Sequence, residues 1–189
     1  MRYLYIHGAN STSQSFNYIR DRLGGDDMVL DYVSSEGFDH NFQNMCSAID
    51  DSRDLFIIAH SLGGIYALHL ANQFPRKVRG AVTISTPYGG SGAAEIAKWF
   101  MPHTQLFRDI APSGRIIRST MRMPVQHPWC NIVSTRGNSP WIMLSNDGVV
   151  TLQSMRARPE MDLIELDLNH YEVMMNPATV EIIQARIRL

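Results

Sequence analysis

The chain has 189 residues, 44% of them hydrophobic, a formal net charge of −1 and two cysteines. Its length suits one domain with a sizeable core. The near-neutral charge, without a basic block, leaves no electrostatic footprint for nucleic acid, and no apolar run approaches the ~20 residues of a membrane span.

In chain order, Met1-Arg2-Tyr3-Leu4-Tyr5-Ile6-His7 enters a strand at once. It lacks a long apolar core ending in a small-residue cleavage site, so the expected location is cytoplasmic, without an export signal. The pattern predicts a strand over Tyr3–His7, a helix over Ser13–Leu23, a strand over Met28–Val33 and a helix over Asn41–Asp50. A strand over Leu55–His60 leads into a helix over Leu62–Phe74, which Pro75 stops. A strand over Gly80–Ser85, a helix over Gly92–Trp99, strands over Asn131–Ser134 and Asp162–Asp167, and a helix over Pro177–Arg188 follow. Pro177 suits a first helical turn, where its missing N–H is not needed. Short apolar runs alternating with helical patterns imply a mostly parallel sheet of about six strands, covered on both faces. Cys46 and Cys130 have no metal-ligand spacing and read as free buried thiols of a reducing compartment.

Residues 87–128 resist this reading, being irregular and holding Pro87, Pro102, Pro112, Pro124 and Pro128. A loop of that length in a compact domain is usually functional. It follows the carboxyl end of a strand, where open α/β sheets bind ligands. It reads as the wall or partial cap of a substrate site; the alternative is a structural excursion with short helices.

The sharpest signal is Ile57-Ile58-Ala59-His60-Ser61-Leu62-Gly63-Gly64. An apolar run ends, a serine follows, and a helical pattern opens. A serine on so tight a strand-to-helix turn is exposed above the sheet, and the turn demands small residues two before and two after it. Here these are Ala59 and Gly63, an A-x-S-x-G variant of the usual G-x-S-x-G. A serine needs a base, and the base an orienting acid, on loops after later strands. His170 is the only histidine after Asp147 and directly follows an apolar alternation. It is the candidate base and Asp147 the candidate acid, with Asp162, Glu165 and Asp167 as competitors. The oxyanion of acyl transfer needs preset donors. The N–H of Leu62, at a helix start, and that of Ala9, after the His7-Gly8 turn, are the candidates. His7 is expected to order that loop and His60 to pack beside the elbow. No dinucleotide fingerprint or metal-ligand cluster appears, so no cofactor or metal is expected.

Six segments resemble α/β-hydrolases, and within them small bacterial lipases and esterases. They are Tyr5-Ile6-His7-Gly8-Ala9 with Gln14-Ser15-Phe16, Ala59-His60-Ser61-Leu62-Gly63-Gly64, Ser85-Thr86-Pro87-Tyr88-Gly89-Gly90-Ser91, Asp109-Ile110-Ala111-Pro112-Ser113, Asp147-Gly148-Val149-Val150 and Asn169-His170. The resemblance implies a minimal α/β-hydrolase fold over residues 1–189, lacking the first two strands of larger members and a large cap domain. It implies Ser61 as nucleophile, His170 as base, Asp147 as acid, and Ala9 and Leu62 as oxyanion donors. The expected activity is hydrolysis of carboxylic esters, from a small-molecule or lipid substrate. Rival readings are a thioesterase, an acyltransferase or a non-catalytic binding module. Tyr88, Trp99, Phe100, Met101, Leu106 and Phe107 are candidate substrate-binding residues; the last five could equally pack on the core as a cap.

Overall fold

The computed structural model describes residues 1–49, 53–90, 108, 109, 111–137, 139, 142 and 144–188. Six strands form one sheet: β1 (Arg2–Ile6), β2 (Asp27–Leu30), β3 (Leu55–His60), β4 (Val78–Ile84), β5 (Trp129–Ser134) and β6 (Asp162–Leu166). Their order is β2-β1-β3-β4-β5-β6 and every pairing is parallel. The four middle strands are sandwiched on both sides, which is why they read as continuous apolar runs rather than alternations.

Successive side chains of a strand point to opposite faces, and this divides the core. Leu4, Ile6, Ile57 and Ala59 pack with α2 (Phe38–Ala48), α3 (Leu62–Gln73) and α4 (Arg115–Arg122). Tyr5, Phe56, Ile58, Val82 and Ile132 face the other way, against α1 (Asn17–Leu23) and the C-terminal helix (Pro177–Ile187). Asn176 caps that last helix by accepting the N–H of Ala178, with Pro177 in its first turn.

All six strands lie where the sequence predicts them, within a few residues. The helices differ more. The stretch 13–23 divides into a 3-10 turn at Ser13–Phe16 and α1. The second helix starts at Phe38 rather than Asn41. Phe38 stacks on Tyr66 at 4.3 Å, and its N–H donates to the Asp109 carboxylate at 2.9 Å. A tertiary contact thus adds a turn that local pattern does not encode. Within the irregular region, α4 buries Ile116, Ile117 and Thr120; at eight residues it is too short for its periodicity to stand out. A one-turn helix, α5 (Leu152–Met155), was likewise not anticipated, and the C-terminal helix is therefore α6. The predicted helix over Gly92–Trp99 lies outside the described residues.

Among the described residues no helix is long and apolar enough to cross a membrane. Cys46 and Cys130 are both free. Cys130 is buried, which pushes its thiol up to about 11, whereas Cys46 is only partly buried.

Parallel pairing sets the carboxyl ends of the strands in one row. Ile6 is level with Ala59, His60 with Ile84, and Ile84 with Ile132. The strand order reverses direction between β1 and β3, and the loops leaving them diverge to open a crevice.

Candidate active site

Ser61 stands at the end of β3, on the edge of that crevice. Its backbone has φ +52° and ψ −125°, a conformation that costs an L-residue about 1–3 kcal/mol and persists only where the surroundings enforce it. They do so by backbone contacts. The Ser61 N–H donates to the Ile84 carbonyl at 2.8 Å, and the Gly64 N–H to the Ser61 carbonyl at 3.0 Å. A Cβ at Gly63 would lie 2.2 Å from the Ile6 carbonyl oxygen and 2.5 Å from that of His7. Helix and strand could not approach this closely around any other residue. Ala59 is fully buried, so its methyl group is accommodated where the common motif has glycine.

The loop after β1 is braced by His7. Its ring lies parallel to that of Tyr32 at 4.4 Å, and the Tyr32 hydroxyl donates to the His7 carbonyl at 3.1 Å. The Tyr32 N–H donates to His7 Nε2 at 3.2 Å, so Nδ1 carries the proton and donates it to the Gly8 carbonyl at 2.8 Å. In a trans peptide the N–H points opposite to the C=O, so holding the Gly8 carbonyl toward His7 turns the Ala9 N–H away from it. No described residue accepts a hydrogen bond from the N–H of Ala9 or of Leu62, and both residues line the same cavity as Ser61.

Opposite stand Asp147 and His170, 1% and 3% exposed. His170 Nδ1 donates to Asp147 Oδ2 at 2.7 Å, and the His170 N–H donates to the Asp147 carbonyl at 3.0 Å. Asp147 Oδ1 accepts the N–H groups of Val149 at 3.0 Å and Val150 at 2.7 Å. The same carboxylate therefore closes its own Asp-Gly turn and holds the histidine. Its second oxygen also accepts the Ser134 hydroxyl at 2.5 Å. Burial works to raise this carboxyl, but the donors from His170, Ser134 and Val150 outweigh it and hold Asp147 below its ordinary value.

His60 is the buttress between the two sides. Its Nε2–H donates to the His170 carbonyl at 3.1 Å, and the rings are 4.7 Å apart. Burial, with His170 alongside, pulls His60 down to about 3, so it serves as a neutral strut. Among the described residues the acid paired with His170 is Asp147; of the competing acids, Asp162 pairs with Arg186 and Glu165 with Arg156.

Ser61 and His170 open into one cavity of about 510 Å³, within the usual range for small-ligand sites. No hydrogen bond joins Ser61 Oγ to His170 Nε2 in this arrangement. One wall is polar, with Asn10, Ser11 and Ser15, and the other apolar, with Val149, Val150, Tyr171, Met174 and Met175. None of these wall residues was foreseen, since they converge from the loops after β1, β5 and β6. Tyr88 is a correction. It is fully buried, its hydroxyl donates to Thr83 Oγ1 at 3.0 Å and accepts the Trp129 indole N–H at 2.9 Å, and it does not line the cavity. Trp99, Phe100, Met101, Leu106 and Phe107 lie outside the described residues. Ser134 and Ser85 were also missed. The only signal for them was a polar residue at the carboxyl end of a predicted strand.

No curated protein sequence matches the chain. Solved structures do. A Bacillus licheniformis lipase, BlEst2 in mature form, superposes with a TM-score of 0.73 at 15% identity, over 97% of this chain and 90% of that one. A lipase-esterase related protein from Clostridium acetobutylicum gives 0.68 at 14% identity, over 97% and 93%. A structure from the work on LipS and LipT, two metagenome-derived lipolytic enzymes, gives 0.72 at 16% identity, over 99% and 93%. At these identities the likeness establishes the fold. The model described as the alpha/beta hydrolase family matches residues 4–179, nearly the whole chain, and the protein belongs to that family.

Proposed function

We propose that the protein is a serine hydrolase of carboxylic esters, acting as a single domain over residues 1–189 in the cytoplasm. The observation that carries this reading is the convergence, on one cavity, of a serine held in strained backbone and a histidine held by a buried carboxylate. Ser61 Oγ attacks the ester carbonyl while His170 Nε2 takes its proton. Asp147 keeps the Nδ1 proton in place and stabilises the imidazolium that forms. The negative oxygen rests against the N–H groups of Leu62 and Ala9, with the start of α3 favouring its charge. His170 then returns the proton to the departing alcohol as the carbonyl–oxygen bond breaks. A water adds to the acyl-enzyme, again giving its proton to His170, which returns it to Ser61 Oγ as the acyl–oxygen bond breaks and the acid is released. An ester fits the two-sided cavity: its apolar wall suits an acyl chain and its polar wall an alcohol. The lipolytic descriptions of several structural neighbours favour the same class.

The test is hydrolysis of nitrophenyl esters from short to long, beside acyl thioesters, with Ser61→Ala as the blank. Wild-type turnover should exceed that of Ser61→Ala by at least about four orders of magnitude, and a fluorophosphonate should label Ser61. Faster turnover of thioesters than esters would replace the substrate class. Absence of both turnover and labelling in a folded protein would overturn the reading.

A further inference from the structure

Two buried hydroxyls stand behind the carboxylate, and neither has a role in the mechanism above. Ser134, the last residue of β5, and Ser85, just after β4, are both fully buried. Their oxygens are 2.6 Å apart, and Ser134 Oγ lies 2.5 Å from Asp147 Oδ2. An ionised carboxylate only accepts, so the single Ser134 proton goes to Asp147. Ser134 can then only accept from Ser85, which fixes the direction of the chain: Ser85 to Ser134 to Asp147, met from the far side by His170.

A buried hydroxyl costs free energy unless it is bonded. Among the described residues these two have no backbone partner; besides each other and the carboxylate, Ser134 has there only the Met155 sulfur at 3.7 Å. Ser85 is also held at φ +52°, with its N–H donating to the Ile132 carbonyl at 2.8 Å. A strained, pinned backbone therefore aims this hydroxyl. Alanines would fill the same space without the polar cost, so the hydroxyls serve the carboxylate rather than the packing of β4 on β5.

We propose that Ser85 and Ser134 are positioning residues, a two-hydroxyl relay that keeps Asp147 Oδ2 on the His170 Nδ1 axis while the imidazolium forms and discharges. The proposal rests on the ester-hydrolase reading. Oδ1 is held by two backbone N–H groups, but among the described residues Oδ2 has only side-chain donors. Removing the Ser134 donor frees the carboxylate to turn, which lowers kcat. Neither serine lines the cavity, so KM should not move. An Oδ2 relieved of one donor is also more basic and favours the charged imidazole, so the acid limb of kcat/KM should rise. Other titratable groups around His170 leave that sign intact. His60 from β3 stays neutral, Tyr171 meets the ring edge-on at 5.4 Å, and Glu172 is neutralised by Arg136.

The experiment compares Ser134→Ala, Ser134→Thr and Ser85→Ala with the wild type. It measures kcat, KM and the pH profile on one nitrophenyl ester, the pH dependence of fluorophosphonate labelling of Ser61, and the melting temperature. Ser134→Ala should lose roughly 10- to 100-fold in kcat, the worth of one hydrogen bond to a charge. Its KM should stay within about twofold, with labelling slowed in parallel. Ser134→Thr, which keeps the hydroxyl, should recover most of the rate. Ser85→Ala should move the same way by a smaller factor, and it decides the matter if the Ser134 variants do not fold. Folded variants with wild-type kcat and pH profile, or a loss that follows melting temperature alone, would overturn the relay while leaving the ester-hydrolase reading intact. Failure of the wild type to label at Ser61 would overturn both.

Discussion

On the β1–β3 side of the cavity, position is enforced by backbone. Ser61 is trapped in its turn by the Ile84 carbonyl and by the near-contact of Gly63 with the carbonyls of Ile6 and His7. On the β5–β6 side, side chains take part in most contacts, beside backbone ones such as the His170 N–H to the Asp147 carbonyl. Asp147 and His170 are held by each other, by Ser134 and by His60, from four separate stretches of chain. A backbone trap of this kind is short in sequence and does not tolerate added atoms. A side-chain network is long in sequence and fails one hydrogen bond at a time. The two sides should therefore break differently.

The largest effect falls on the side-chain half. Asp147→Asn keeps the shape but presents the wrong partner to His170 Nδ1, and kcat should drop by about three to four orders of magnitude. The melting temperature should change far less, because the Val149 and Val150 N–H groups can still donate to Oδ1. A drop below tenfold in steady-state kinetics would remove Asp147 from its proposed role.

On the backbone half, Gly63→Ala should act through folding first. Its methyl group would meet fixed carbonyl oxygens rather than a yielding side chain, so destabilisation of about 3 kcal/mol or more is expected by denaturant titration. Whatever activity survives should be reduced by displacement of Ser61. A wild-type midpoint for this variant would show the trap to be softer than the 2.2 Å approach implies.

The smallest effect is a pH dependence that separates scaffold from site. Burial pulls His60 down to about 3 and His69 to about 4. His69 lies away from the cavity, with its Nε2–H donating to Thr120 Oγ1 at 3.0 Å. In both cases the unfolded chain binds a proton that the folded one refuses, so stability is full above about pH 6.5 and falls as pH drops toward the folded values. Asp147 has the carboxylate behaviour, its stabilisation present above about pH 4 and lost only below that. Melting temperatures between pH 7 and pH 4.5 therefore read mainly the histidines that burial depresses, His60, His69 and His127. His69→Gln should flatten that slope by roughly 1–2 kcal/mol without altering kcat, whereas His60→Gln should flatten it and slow turnover by loosening His170. An unchanged slope in His69→Gln would show that this histidine is not the source.

The same contrast explains what could be read before the fold was seen. Strand positions were legible because strands buried on both faces are apolar throughout, and the elbow because its chemistry spans six consecutive residues. Helix starts were less legible. The first turn of α2 depends on Asp109 and Tyr66, 71 and 28 residues away from Phe38 in the chain. The placement of Tyr88, a candidate substrate contact, was illegible for a related reason. An aromatic residue beside a site and one beneath it look alike in sequence, and only the partners of its hydroxyl, Thr83 and Trp129, distinguish them.

The amino-acid sequence by itself determined the parallel six-stranded architecture and the serine turn, and it offered His170 as a base with Asp147 as one acid among several. Those follow from local sterics and from hydrophobic period, which act over a few residues. Tertiary structure alone decided that Ser85 and Ser134 stand behind the carboxylate, that His60 bears on the His170 carbonyl, and which residues form the two walls of the cavity. These are meetings between strand ends set by sheet register, and no window of sequence contains them.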